Sequence, residues 1–269
     1  MRNVIAKGAL ALSLLVAPAA TAPVLAAGGG ADLLPATFTF EGPFGTYDRA
    51  AAQRGFQIYK EVCAACHSMS LLAYRNLMDL GLTENQVKAL AAEFEVDDVN
   101  DKGEAIKRPA RPADRFRKPF PNEAAARAAN NGAYPPDLSL VVKARPKGAR
   151  YVFSLLQGYD DLDKLSADDK KKLHIDEKFK LQSGMSFNKY FPGMQIAMAK
   201  PINDGQVTFV DGAKNDVPSM ARDVVTFLAW ASEPKMEDRK RTGVRVAIFL
   251  LILTGLMYAV KRKVWADAH

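Results

Sequence analysis

Cysteine is nearly absent. The 269-residue chain has two, so it can close at most one disulfide and is neither a disulfide-stapled scaffold nor a source of four thiolates for structural zinc. Histidine is scarce as well: three residues leave little room for a histidine-built metal cage. No internal repeat is visible, and strand-like alternation is confined to Gln206–Val210, followed by the turn-like Asp211-Gly212, so the chain does not read as a β-protein. What is plentiful is apolar and charged sequence, 48% and 25%, the balance of a chain that buries a core and is not disordered.

The formal charge of +7 invites a nucleic-acid partner, but its distribution argues against one. Residues 27–232 carry 27 basic and 26 acidic side chains; the excess belongs to the two ends, where it serves targeting and anchoring. Arg2 and Lys7, an apolar stretch from Ala9 to Ala17 and the small-residue ending Val24-Leu25-Ala26 form an export signal, 1–26, expected to be cleaved after Ala26. Near the other end, Val246–Val260 is almost wholly apolar and extends to Gly243 if Arg245 snorkels, giving a membrane span over 243–260. Arg239-Lys240-Arg241 and Lys261-Arg262-Lys263 flank it. An exported domain, 27–240, followed by a stop-transfer helix leaves 261–269 as a short cytoplasmic tail. The simple signal favours the inner membrane of a bacterium, with the domain in the periplasm.

Between the ends, Asp48–Val62 reads as a helix with Ala52, Phe56, Tyr59 and Cys63 on one face, running directly into the cysteine pair. Residues 104–122, with four prolines, read as an irregular surface segment. Short helices are expected to end at Gly132 and to cover Tyr151–Tyr159, with Asp160–Lys180 a charged surface insertion. Asp216 and Pro218 open a helix reaching Ala231, with Met220, Val224, Phe227 or Leu228 and Ala231 along one face. Acidic clusters at 93–104 and 160–163 could steer a basic partner, but the basic 108–118 segment contradicts a uniformly negative docking face.

Cys63-Ala64-Ala65-Cys66-His67 carries the chemistry. C-x-x-C-H is the attachment site of c-type haem: two thiols on one turn form thioethers with one haem edge and hold the next imidazole against the iron. A thioredoxin-like redox pair shares the C-x-x-C spacing, but its βαβ setting is missing. His174 sits in a lysine-rich loop and His269 beyond the membrane span, so methionine is the default sixth ligand. Met194 and Met198 both stand in the Phe191–Pro201 segment, and Met185 is a third candidate. Filling both axial positions favours electron transfer over chemistry at the iron.

At these residues the chain closely resembles the cytochrome c1 family, the haem subunit of the ubiquinol–cytochrome c reductase (bc1) complex. The resemblance runs from about Phe40 to Trp265 through Arg54-Gly55-Phe56, the haem motif, Ala129–Ser139, Tyr151–Leu156, Pro192–Pro201 and Trp230–Pro234. It implies one covalently bound haem c on Cys63 and Cys66, with His67 and Met198 as axial ligands. It also implies that Arg145 and Tyr151 approach a haem propionate. Pro135-Pro136 is expected to pass near the proximal side, with a backbone carbonyl accepting the free ring N–H of His67 and orienting it, which puts Pro136 among the expected pocket residues. Some bacterial members carry an extra cysteine pair before the methionine, which this chain lacks.

The fold implied is an all-α, cytochrome-c-like haem domain with long loop insertions and one C-terminal transmembrane helix, the Asp48 helix crossing the Val217 helix. The partners implied are cytochrome b, the Rieske iron–sulfur protein, a soluble or tethered cytochrome c and the lipid bilayer, in a dimeric complex. A membrane-anchored c-type cytochrome serving a terminal oxidase is the alternative reading.

Overall fold

The structure, a computed structural model, describes residues 31–176 and 178–266; the export signal, 1–26, lies outside them. The first helix, α1 (Arg49–Glu61), begins where expected because the Asp48 carboxylate accepts the Ala51 N–H at 3.0 Å. Its buried face includes Ala52, Phe56 and Tyr59. The haem motif follows as a 3-10 turn, Cys63–Ala65, and a second 3-10 segment, Tyr74–Leu80, stops at Gly81, whose φ of 96° suits glycine. Thr83 and Gln86 then form a capping box that opens α2 (Glu84–Ala92).

An antiparallel hairpin follows, β1 (Glu95–Val99) and β2 (Ala105–Pro109), paired from Glu95 with Pro109 to Val99 with Ala105. This corrects the expectation of irregular chain from 104 onward. The hairpin is almost entirely exposed, so hydrophobic alternation could not announce it. Its turn is made by the Asn100 side chain, which accepts the Lys102 and Glu104 N–H groups at 3.0 Å each, and by Gly103 at φ 82°. Arg108 ties the strands by pairing with both Asp98 and Asp114.

Short helices α3 (Glu123–Ala129), α4 (Val141–Ala144) and α5 (Gly148–Gln157) come next. The charged insertion holds one 3-10 turn, Leu162–Lys164, and α6 (Ala167–Lys172), neither with a buried residue. Two-residue strands β3 (Ser186–Phe187) and β4 (Gln195–Ile196) close the methionine-bearing segment into a small hairpin.

Gln206–Val210 does not form a strand. Its alternation is real, with Val207 and Phe209 buried, but side chains take the place of a partner strand: Asn215 donates to the Val207 carbonyl and Gln57 to that of Thr208, both at 3.1 Å.

Helix α7 (Val217–Ser232) is capped by Asp216 and packs against α1, α4 and α5. One apolar face was expected; instead every residue from Asp223 to Ser232 is buried. Asp223 tolerates this because Arg54 of α1 grips its carboxylate, at 2.6 Å from Nε and 3.2 Å from Nη2. Burial raises the Asp223 carboxyl against the pull of that guanidinium. Thr226 and Ser232 return their hydroxyls to the carbonyls one turn back.

The last helix, α8 (Met236–Val264), has an 18-residue window of mean hydropathy 2.1 with none of it buried. Its 29 residues reach about 43 Å at 1.5 Å each, more than a hydrocarbon core. It begins directly after the Pro234 break, so the membrane span continues as helix into the domain without a tether. The 40–47 segment grips this junction: Glu237 accepts the Tyr47 N–H at 2.8 Å and two Arg49 guanidinium bonds, while the Lys240 ammonium donates to the carbonyls of Phe40 at 2.7 Å and Gly45 at 3.1 Å.

Candidate haem-attachment site

The end of α1 and the turn after it set the geometry of the motif. The N–H groups of Cys66 and His67 both donate to the Cys63 carbonyl, at 3.1 and 2.9 Å, winding both cysteines and the histidine into one turn. Cys63 is half-buried and Cys66 exposed. Burial, with Cys66 adding to it, pushes the Cys63 thiol up to about 12. That direction is opposite to the lowered thiol of a thioredoxin-type pair.

His67 is held from both sides of the sequence. Its Nδ1–H donates to the Pro136 carbonyl at 2.8 Å, the contact anticipated for the Pro135-Pro136 turn, which leaves Nε2 free to ligate a metal. Burial lowers the imidazole below its ordinary value, opposed by the Pro136 carbonyl and Asp137, which favours the neutral ring, the form that binds metal. The Tyr59 hydroxyl donates to the His67 carbonyl at 3.2 Å.

Asp137, which no spacing pattern singled out, staples the two segments together. One carboxylate oxygen accepts Ser68 Oγ at 2.8 Å, Ser70 N at 2.8 Å and Ser70 Oγ at 2.7 Å; the other accepts Ser139 N at 2.8 Å. Leu138 N donates to Ser68 O at 2.8 Å and Leu71 N to Ser139 Oγ at 3.1 Å. Burial alone would raise the Asp137 carboxyl, but the bonds from Ser139 and Ser70 bring it down to about 2. A carboxyl depressed in the folded state contributes stability that is fully present above its unfolded value, about 3.9, and is lost as pH falls toward 2. Asp137→Ala is therefore expected to cost about 2–4 kcal/mol at neutral pH and to flatten the acid loss of stability below pH about 4, read by urea denaturation at a series of pH values.

The three candidate methionines sit in different surroundings. Met185 is exposed. Met194 is buried, follows Gly193 in a left-handed turn at φ 56°, and is fastened through Met194 N to Phe191 O at 2.8 Å and Asn188 N to Met194 O at 3.1 Å. Met198 is half-buried, and its carbonyl accepts the Tyr159 hydroxyl at 3.1 Å. Asn188, fully buried, supports the same loop by donating to Leu155 O and accepting from Tyr190 N. Tyr159 and Asn188 escaped sequence reading, because the Met198 and Leu155 carbonyls they hold lie tens of residues away and neither belongs to a motif.

Arg145 ends α4 and is exposed, while Tyr151 is half-buried on α5. Burial raises the Tyr151 phenol, and the positive charge of Arg145 opposes that rise. The donor set fits a covalently attached haem c: two thiols on one turn, and an imidazole whose second nitrogen is already engaged. A mostly helical domain with this turn and, among the described residues, one membrane-length helix has the make-up of a membrane-anchored c-type cytochrome.

The chain belongs to the Cytochrome C1 family, whose profile matches residues 38–268. It is 43% identical over 243 residues to cytochrome c1 of Rhodospirillum rubrum, covering 89% of each chain. It is 47% identical over 225 residues to the cytochrome b-c1 complex catalytic subunit of Candida albicans, covering 83% of this chain and 74% of that one. Cytochrome b/c1 of Bradyrhizobium diazoefficiens is 46% identical over 251 residues; the match takes in 89% of this chain but 36% of that longer protein. Family membership makes the chain an electron carrier that performs no bond chemistry of its own.

Proposed function

We propose that the chain is the haem-c subunit of a ubiquinol–cytochrome c reductase of the bc1 type, accepting one electron from a Rieske iron–sulfur protein and delivering it to a soluble or membrane-tethered cytochrome c. Cys63 and Cys66 would hold one haem c through thioethers, His67 and Met198 would ligate its iron, and Arg145, Tyr151 and Pro136 would line its pocket. The observation that carries this reading is the His67 Nδ1–H bond to the Pro136 carbonyl at 2.8 Å beside the cysteine turn, in a chain of the cytochrome c1 family. Haem, when bound, supplies a one-electron iron couple.

The polypeptide does the rest. Pro136 orients the His67 ring and Asp137 holds the two loops that carry that contact. Tyr159 fixes the backbone at Met198, and iron ligated by its thioether together with an imidazole would have a raised reduction potential. Arg145 and Tyr151 would donate to a haem propionate, and the domain would bring the haem within electron-transfer reach of each partner. Helix α8 docks on cytochrome b in a dimeric complex, with the domain on the periplasmic side of a bacterial inner membrane.

The test is purification of this subunit from membranes in mild detergent, with reduced-minus-oxidised spectra and quinol-dependent, inhibitor-sensitive cytochrome c reduction. A c-type signal together with b-type haem and that activity is expected. A c-type signal with oxidase activity and no b haem would overturn the reductase assignment.

A further inference from the structure

At the junction of domain and anchor, a cleft of about 350 Å³ opens between the 43–46 loop and one stripe of α8. The stripe is Glu237, Lys240, Arg241, Val244 and Arg245, spaced three and four apart and so on a single helix face. Its charge is lopsided. Glu237 is neutralised by Arg49 at 2.8 Å, the nearest carboxylate to Arg241 is Asp238 at 4.0 Å, and among the described residues Arg245 makes no ion pair. Lys240 spends its ammonium on backbone carbonyls, which leave its charge uncompensated.

The position of the cleft identifies what it can meet. The uncharged run starts at Val246, immediately after Arg245, and Arg241 lies one turn above it, about 6 Å along the helix. That is the depth of the headgroup layer, about 5–7 Å outside the hydrocarbon core. Phe44, 79% exposed on the opposite wall, is an apolar ring at the level where aromatic side chains settle in a bilayer.

We propose that this cleft binds the headgroup phosphate of an anionic phospholipid, with Arg241 and Arg245 donating to the phosphodiester oxygens, Lys240 contributing charge from the floor and Phe44 lying against the upper acyl chain. Guanidinium forks match phosphate geometry and hold it more specifically than a diffuse basic surface does. The bound lipid bridges the 43–46 loop and α8, reinforcing the junction that sets the angle between domain and membrane. The site is independent of the haem assignment.

Photolabelling tests it in the intact detergent-purified assembly. A phosphatidylglycerol with a photoreactive acyl chain is added, and cross-linked peptides are mapped by mass spectrometry. Expected is labelling of peptides containing Phe44 and Val244, displaced by excess phosphatidylglycerol but not by phosphatidylcholine or inorganic phosphate. Arg241→Gln with Arg245→Gln should weaken labelling about tenfold or more with the c-type absorbance unchanged, and the double lysine substitution should restore much of it. Equal displacement by phosphatidylcholine, indifference to the glutamine substitutions, displacement by inorganic phosphate, or labelling confined to another subunit would each overturn the proposal.

Discussion

Met198→Leu is expected to give a folded, haem-bearing protein whose reduction potential falls by on the order of 100 mV or more, within the span of about 0.8 V that axial ligation commands, and whose reduced form binds carbon monoxide. Leucine replaces methionine at nearly constant volume, which in a packed site costs less than about 1.5 kcal/mol, so loss of the sulfur is separated from loss of the fold. Redox titration and carbon monoxide difference spectra read the two effects. The proposal also requires that the neighbouring methionines behave otherwise. Met194→Leu, in a buried left-handed turn, should cost some stability and leave the potential in place. Met185→Leu, on the exposed surface, should change neither. Carbon monoxide binding by the Met194 variant, with the Met198 variant silent, would move the ligand assignment.

Gly55→Ala is expected to abolish accumulation of the haem-loaded domain. A Cβ on Gly55 would stand 2.1 Å from the Asp223 carbonyl oxygen and 2.7 Å from Phe227 Cβ. These are backbone and near-backbone atoms of α7 that cannot swing aside, so α1 and α7 must separate. Overpacking of this kind costs about 3 kcal/mol or more, a large share of a domain stability of about 5–15 kcal/mol. Separation also breaks the Arg54–Asp223 pair one residue away, held at 2.6 Å, leaving a buried carboxylate unpaired. It further displaces the end of α1, which positions Cys63. Haem content of membranes and the urea midpoint of any purified protein measure the effect. Gly243→Ala is the control: nothing lies within 4 Å of the added carbon, the site is exposed helix, and the change should be neutral or stabilising by up to about 1 kcal/mol. A Gly55 variant with normal haem content would show that the two helices can adjust where the structure leaves no space.

Much of the fold was legible because its signals are local. Asp48 and Asp216 cap helices through bonds to N–H groups three residues on, and one helical turn is all such a signal has to cross. The anchor was legible from apolar length alone, though its helix starts earlier, at Met236, because the charged turn before the span is captured by Tyr47, Arg49 and the carbonyls of Phe40 and Gly45. Periodicity failed twice, for opposite reasons. Gln206–Val210 alternates as a strand but satisfies its carbonyls through Asn215 and Gln57 side chains. Glu95–Pro109 pairs as a hairpin with almost no buried face, held by turn chemistry and the bonds of Arg108.

By itself, then, the sequence determined the cysteine–histidine motif, the membrane-length helix and the starts of the two central helices, since each depends on residues adjacent in the chain or within one or two helical turns. Only the tertiary structure decided how the candidate ligands are held. The Pro136 carbonyl that orients His67, the Asp137 carboxylate that staples their loops and the Tyr159 hydroxyl on Met198 join residues 39 to 69 positions apart. Contacts at that separation form only after the core has packed, when the energy of burying the Asp223–Ser232 part of α7 has offset the entropy of closing the loops between them.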